Sequence, residues 1–303
     1  MSTLKTYYSN GKLLLTGEYV VLDGATALAI PTKYGQSLTV SETNSNTLKW
    51  TSKDVTNNIW FETEIHLKTL KPIRLCNISE TLSTILQTAR KHNPSFLKNT
   101  KGILVKTHLD FPRNWGLGTS STLINNIAQW AQIDAYSLLN ESFGGSGYDI
   151  AAAQHDSPIF YTRTHTDPIV QPCTLSWDFT DQLFFVYLNQ KQDSKKGIAT
   201  YRSKQRNPEL ISTITDYSKK LLLCYTLQDF ERLIEAHEQK IAALLAQPTI
   251  KENLFPTYKK TIKSLGAWGG DFILATGNDS DMEYFRNKGY TTIIPFKEII
   301  LSP

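Results

Sequence analysis

Cysteine is scarce in this 303-residue chain: Cys76, Cys173 and Cys224 are all it has. Odd in number and far apart, they offer no disulfide framework and no metal-spaced pair, and they fit a reducing compartment. No apolar run approaches the roughly 20 residues that a membrane helix needs. The opening Met-Ser-Thr-Leu-Lys runs straight into polar residues, without the apolar stretch of a secretory leader. The expectation is a cytoplasmic protein with no membrane partner. Blocks of Lys and Arg are absent too, and 32 basic against 28 acidic residues leave a formal charge of only +4. That balance suits a small anionic ligand and gives no ground for nucleic acid. Two common nucleotide signatures, G-x-x-x-x-G-K-[ST] and G-x-G-x-x-G, do not occur. Internal repeats and low-complexity segments are lacking as well. What remains is a globular composition and length enough for one large domain or two medium ones.

The stretch that organises the chain is Pro112-Arg-Asn-Trp-Gly-Leu-Gly-Thr-Ser-Ser121. Ahead of it, Gly102–Phe111 has the β-branched, alternating character of a strand. Behind it, Leu123, Ile124, Ile127, Trp130 and Ala131 recur at helical spacing, which predicts a helix starting near Thr119 or Ser120. Gly116 and Gly118 let the backbone turn tightly and come close to a ligand. Thr119, Ser120 and Ser121 put three hydroxyls where a helix exposes unpaired N–H groups and the positive end of its dipole. That describes an anion site, most often one for phosphate. An ordinary glycine-containing loop with a hydroxyl cap reads the same way, such loops are common, and the stretch alone favours that plainer reading.

Two further glycine clusters follow, Phe143-Gly-Gly-Ser-Gly-Tyr-Asp149 and Leu265-Gly-Ala-Trp-Gly-Gly-Asp271. Asp149 falls in a predicted first helical turn, where the dipole favours a carboxylate; taken alone, it reads as dipole complementation. Tyr7–Asp23 reads as a strand interrupted by a turn at Thr16-Gly17-Glu18, and Ala25–Ile30 and Gln36–Glu42 as separate β stretches. Ser79 is expected to cap a helix carrying Leu82, Ile85, Leu86 and Ala89. After a predicted strand at Leu183–Leu188 come a polar loop, Asn189–Lys196, and helices over Pro208–Cys224, Asp229–Ala246 and Thr257–Ser264. His237 lies on the apolar stripe of the second of these, with no partner at ligand spacing, and is expected to be a packed core histidine. The closing β-α-α-β-α-β order predicts a ferredoxin-like α+β sandwich. A composition shift around Thr164–Trp177 places a domain boundary there, giving domains 1–175 and 176–303.

These features form an ordered set that resembles the galactokinase, homoserine kinase, mevalonate kinase and phosphomevalonate kinase (GHMP) family. Gly11-Lys-Leu-Leu-Leu-Thr-Gly-Glu-Tyr-Val-Val-Leu-Asp-Gly24, followed by Ala27-Leu-Ala-Ile-Pro31, looks like its first motif. Pro112–Ser121 matches its second, P-x-x-x-G-L-G-S-S-A, with Thr119 for the first Ser and Ser121 for the Ala. Gly266–Asp271 matches its glycine-rich third motif imperfectly, with Trp268 in place of a glycine. Gly145-Ser-Gly-Tyr-Asp-Ile-Ala-Ala-Ala153 and Ile159-Phe-Tyr-Thr-Arg163 are most similar to the phosphomevalonate kinase branch.

The resemblance implies a two-domain α+β GHMP-kinase-like fold: an N-terminal mixed α/β ATP-binding domain and a C-terminal ferredoxin-like sandwich. It implies ATP and Mg²⁺ as cofactors, and a small anionic acceptor, phosphomevalonate or mevalonate. Gly116, Leu117, Gly118, Thr119, Ser120 and Ser121 would cradle the ATP phosphates, with Ser120 also reaching Mg²⁺. Asp149 would face the acceptor, and Lys12 would lie near it, stabilising the transferred phosphoryl group. Ser194, Lys195, Lys196 and Arg163 are candidates to hold an anionic substrate, with Trp268 and Gly269 shaping the acceptor side. Glu141 is the nearest candidate for a carboxylate on Mg²⁺. Glu18 matches a motif position, with a structural role in its turn equally open. Other readings keep the fold but take a sugar or an amino-acid alcohol as acceptor, or make the chain a catalytically silent ligand binder. Monomer and homodimer are both compatible with the sequence.

Overall fold

The computed structural model describes residues 4–98, 101–190, 194–268 and 270–301, with the backbone alone for 194–196. Strand β1 is Lys5–Thr16, and Leu13, Leu14, Leu15 and Thr16 are all buried. Gly17, at φ 92, ends it; a Cβ there would lie 2.7 Å from the Cβ of Ala27. Val20–Asp23, read from sequence as strand, is a 3₁₀ turn entered through Tyr19 at φ 62 and closed by Gly24 at φ 97. The two β stretches expected at Ala25–Ile30 and Gln36–Glu42 are one strand, β2, Ala27–Thr43. Pro31 is tolerated because it falls between two ladders, Ala27–Ala29 with Ile159–Tyr161 and Gln36–Thr43 with Gly102–Leu109. Its missing N–H therefore interrupts neither of them.

Strands β3 (Thr47–Lys53) and β4 (Ile59–His66) form a hairpin. Helix α1, Asn77–His92, is capped by Cys76, whose sulfur accepts the Ser79 N–H while the Ser79 hydroxyl accepts the Cys76 N–H. Ser79 is thus the third helical residue of a capping box rather than the cap itself. Strand β5 is Gly102–Leu109, and helix α2 is Thr119–Ala131, starting where the glycine-hydroxyl turn predicts. Helix α3, Ala135–Ser142, capped by Asp134, is an addition to the sequence reading. Helix α4 is Tyr148–Ala153, and strands β6 and β7 are Ile159–Thr162 and Ile169–Pro172.

Strand β8 is Leu183–Tyr187, and helix α5, Ser194–Arg202, begins inside the expected polar loop. Helix α6, Pro208–Leu221, starts with proline after the Asn207 cap, and α7, Leu227–Leu245, is capped by Thr226. The helix expected over Thr257–Ser264 does not form. A Thr249/Glu252 capping box starts α8 earlier, at Ile250–Leu254, and Pro256 follows its end. Ile262–Ser264 is instead strand β9, paired with β10, Phe272–Thr276; sheet pairing overrides local helical spacing here. Helix α9 (Asp279–Arg286), strand β11 (Ile293–Pro295) and helix α10 (Phe296–Ile299) close the chain.

Two compact units share the chain. The first is Met1–Gly11, Tyr34–Arg113 and Gly118–Gln154, and the second Lys12–Lys33, Asn114–Leu117 and His155–Pro303. The expected boundary near residue 175 falls between β7 and β8, both in the second unit. In the first unit the strands run β4-β3-β5-β2, with β3 parallel to β5 and the other neighbours antiparallel. Its core packs Leu38, Trp50 and Val105 of the strands with Ile85, Leu86, Ile124 and Ile127 of α1 and α2. In the second unit Ala27–Ala29 pairs with β6, which pairs with β7. A separate antiparallel sheet runs β11-β8-β10-β9. With α6 and α7 after β8, and α9 between β10 and β11, that is the 4-1-3-2 arrangement of a ferredoxin-like sandwich, as the element order predicts. Among the described residues, no helix is long and apolar enough to cross a membrane.

Candidate active site

In the second unit all three sequence motifs meet at one turn. Lys12, on β1, donates its backbone N–H to the Leu117 carbonyl and its Nζ to the Gly116 carbonyl, both at 2.9 Å. The lysine is therefore pinned to the turn at both ends of the residue, and its ammonium is held half-buried rather than swept by solvent. Gly116 adopts φ 69, and a Cβ on it would fall on the carboxylate of Asp271, from the third motif. Asp271 is fixed by its own backbone: its N–H donates to Gln190 and its carbonyl accepts from Leu188, each at 2.8 Å. Leu117 is fully buried as the anchor of the turn. Tyr187 donates its hydroxyl to the Asn114 carbonyl, and the Trp115 ring meets Phe272 edge-on at 5.4 Å. Burial raises the Tyr187 phenol, and the charge of Asp271 adds to that. Glycine at 116 is thus required twice, by its left-handed backbone and by the carboxylate lying over it.

In the first unit Gly118, at φ 97, stands at the N-cap of α2, and no side chain caps the helix. Ser121 and Thr122 are buried and turn their hydroxyls back onto the Gly118 carbonyl at 2.9 and 3.0 Å. Thr119 is half-buried and Ser120 exposed, so these two carry the hydroxyls that face outward at the helix start. A 13-residue helix with an uncapped N-terminus presents backbone donors and a positive dipole end to an anion. Asp149 lies half-buried in the first turn of α4, directly after Gly147 at φ 91. Helix α4 packs on α2, where Gln154 Nε2 donates to Asn125 Oδ1 at 2.9 Å. The charge of Asp149 reaches Tyr136, whose phenol is pushed up to about 12, mainly by burial and then by Asp134 and Asp149.

Glu141, Arg163 and Trp268 have partners of their own. Both oxygens of Glu141 are already engaged at an exposed site, with Lys91 at 2.7 Å and His92 at 2.9 Å, and the Lys91 hydrogen bond, then that of His92, lowers its carboxyl. Arg163 donates Nη1 to the Leu22 carbonyl at 3.3 Å. Trp268 stands at φ 56, and its ring is 3% exposed, packed in a core cluster with Tyr19, Val20, Tyr201 and Ile214. Tyr19 fastens the same loop by donating its hydroxyl to the Ala267 carbonyl at 2.6 Å. Ser194, Lys195 and Lys196 open α5, and their side chains lie outside the description; Gly269 lies outside the described residues. Among the described residues, no group of three or more His, Cys, Asp or Glu could hold a metal ion.

A set of buried charges escaped the sequence reading. Glu18 and Lys263 are fully buried and 2.5 Å apart, with Glu238 Oε2 3.6 Å from the same ammonium. His237 is fully buried beside them, as expected of a core histidine. A signal for Glu238 was present, because it lies four residues after Ile234 and three before Ile241, on the buried stripe of α7. Lys263 offered none.

The two sheets and their helices give the chain the α+β fold of the GHMP small-molecule kinases. Three solved structures mark the likeness. The mevalonate kinase of L. major in complex with R-mevalonate matches with a TM-score of 0.67 at 16% identity, over 100% of this chain and 97% of that one. Streptococcus pneumoniae phosphomevalonate kinase, in complex with phosphomevalonate and AMPPNP, gives 0.70 at 13% identity, over 98% of each. Lactococcus lactis galactokinase complexed with galactose gives 0.68 at 13%, over 99% and 94%. No family model and no curated protein sequence matches the chain.

Proposed function

We propose that this protein is an ATP- and Mg²⁺-dependent kinase that transfers the γ-phosphoryl group to the hydroxyl of a small anionic acceptor. Phosphomevalonate or mevalonate is the acceptor we favour. The observation that carries the reading is the double attachment of Lys12 to Gly116 and Leu117, which brings a first-motif cation onto the second-motif turn. In phosphoryl transfer the protein mainly positions reactants and stabilises spreading charge. Lys12 supplies that charge stabilisation. Gly116, Leu117 and Gly118 shape the phosphate turn, with Thr119 and Ser120 offering outward hydroxyls and Ser121 fixing the helix start. Asp149 orients the acceptor hydroxyl or takes its proton as its oxygen bonds to the γ-phosphorus and ADP leaves. Arg163, Ser194, Lys195 and Lys196 are proposed contacts of the anionic acceptor, and Trp268 and Gly269 are proposed to shape the acceptor side.

Mg²⁺ keeps several waters and is commonly held through substrate phosphates with one or two protein oxygens. Bound, it would neutralise charge on the phosphates. Ser120 is its proposed protein contact, and Glu141 would have to leave Lys91 and His92 to serve as a second. A sugar acceptor is the competing reading, because the galactokinase likeness is as close as the mevalonate kinase one. A coupled assay of ADP release with phosphomevalonate, mevalonate, homoserine and hexoses separates them. Turnover confined to a hexose would replace the acceptor, and turnover with none would leave a silent binder.

A further inference from the structure

Outside the residues given roles above, the second unit buries four ionisable side chains together: Glu18, Lys263, Glu238 and His237. One ammonium faces two carboxyl groups, so full ionisation would leave a net negative charge sealed from water, an arrangement that low-dielectric surroundings oppose. One proton on either carboxyl makes the set neutral. The hydrogen bonds say which one. Glu238 Oε1 accepts from both the Ser264 N–H at 3.0 Å and the Ser264 hydroxyl at 2.5 Å. These donors favour its ionised form. Glu18 Oε1 accepts from Lys263, whose Nζ also donates to the Ser264 carbonyl at 2.9 Å. Glu18 Oε2 has no hydrogen-bond donor and lies 3.4 Å from His237 Nε2. That nitrogen accepts the Gly17 N–H at 3.1 Å, so the ring proton sits on Nδ1 and Nε2 presents a lone pair. An ionised Glu18 would set oxygen lone pairs against this nitrogen; a proton on Oε2 removes the clash.

We propose that Glu18 is a neutral carboxylic acid in the folded protein, with Lys263 and Glu238 as the ion pair and His237 as a neutral ring. The proton on Glu18 is then a built-in sensor. Its loss on alkalinisation puts an unmatched charge beside Gly17, in the turn that follows the Lys12 strand, and beside β9, which leads into the Gly266–Asp271 loop. The charged groups around Glu18 are few. Helix α7 brings His237 and Glu238, β9 brings Lys263, and its neighbour Tyr19 has a phenol pushed up to about 12 by burial and by Glu18. Helix α6 reaches the same turn with Ser218, bonded to Thr16, and keeps Asp216 and Lys220 at the surface as their own pair. Burial raises the Glu18 carboxyl from 4.5 to about 7, with Lys263 pulling the other way, and burial holds the His237 ring well below its usual range. Folding therefore retains a proton that the unfolded chain releases, and the stability this gives is lost as pH rises from about 4.5 to about 7.

The test compares urea unfolding of the full-length wild type and Glu18→Gln from pH 4.5 to 8, with infrared spectra of both at pH 6. Glutamine mimics the protonated acid. Across that range the wild-type unfolding constant should rise on the order of 10²-fold relative to the variant's, all other groups titrating alike in both. A carboxylic-acid band present in the wild type should be missing from the variant. Parallel pH curves, or a band that survives in Glu18→Gln, overturn the proposal. Should Glu18→Gln not fold, Glu238→Gln decides: a wild-type acid band that titrates near 7 and persists in that variant sustains the assignment. Its disappearance moves the proton to Glu238 and overturns it.

Discussion

Lys263→Met should be the most damaging single change in the second unit. The side chain is fully buried, and its ammonium serves Glu18 Oε1 at 2.5 Å, the Ser264 carbonyl at 2.9 Å and Glu238 Oε2 at 3.6 Å. Methionine fills similar volume, so packing is nearly conserved and the loss is electrostatic. Removing one partner of a buried ion pair costs about 3–5 kcal/mol, because the other charge stays behind unpaired. That is a large share of the roughly 5–15 kcal/mol that holds a typical protein folded. The penalty should depend on pH. Near pH 5 Glu18 holds its proton and the missing cation is felt least; near pH 8 Glu18 has lost that proton and the unmatched negative charge is greater. Urea midpoints of wild type and variant at pH 5 and pH 8 measure this, and the gap should widen at the higher pH. Adding Glu18→Gln should return part of the loss, a coupling that a double-mutant cycle reads directly. A Lys263→Met protein within about 1 kcal/mol of wild type at pH 8 would refute the buried-charge account, since that is the cost of an ordinary substitution.

Asp149→Asn and Lys12→Met should each keep the fold and lower turnover by on the order of 10²–10⁴, the span for losing a positioned acid/base or charge-stabilising group. If both act on one transition state, as proposed, the double variant should lose less than the product; steady-state kinetics on the acceptor found in the screen will show it. Ser120→Ala should weaken Mg·ATP binding, measured by calorimetry with a non-hydrolysable analogue, and leave the melting temperature unchanged because the residue is exposed. Ser121→Ala should do the reverse, lowering stability by about 0.5–1.5 kcal/mol through loss of its bond to Gly118. Gly116→Ala should destabilise by about 1–2 kcal/mol for its left-handed backbone alone. It should also displace Asp271, and an Asp271→Ala companion change that gives no relief would show that the carboxylate is not the obstacle.

Much of the architecture was legible because it rests on local periodicity. Ile124, Ile127 and Ala131 spell out α2, and the glycine-hydroxyl turn fixes its first residue. The ferredoxin-like unit followed from element order, even though one expected helix was really β9. Errors fell where distant partners outweigh local preference. Val20–Val21 looks like strand, but Gly17, Tyr19 and Gly24 are all left-handed and fold it into a 3₁₀ turn. Lys263 sits in a strand of three residues, and no pattern rule places a lysine at zero exposure without knowing that Glu18, 245 positions away, waits for it. Trp268, expected on the acceptor side in place of a glycine, has its ring in a core cluster that local sequence does not announce.

The chain passes from one compact unit to the other at Gly11–Lys12, Lys33–Tyr34, Arg113–Asn114, Leu117–Gly118 and Gln154–His155. No single cut can therefore separate the two units, and even one after Gln154, which keeps the first unit whole, deprives the second of Lys12–Lys33 and Asn114–Leu117. The order of synthesis has a matching asymmetry. Every residue of the first unit has left the ribosome by position 154, while β8–β11 of the second are still to come. During translation the segment Lys12–Lys33, which carries Lys12 and Glu18, must wait with its apolar residues uncovered until the second half of the protein arrives. That interval is when the nascent chain is most exposed to aggregation and most in need of a chaperone.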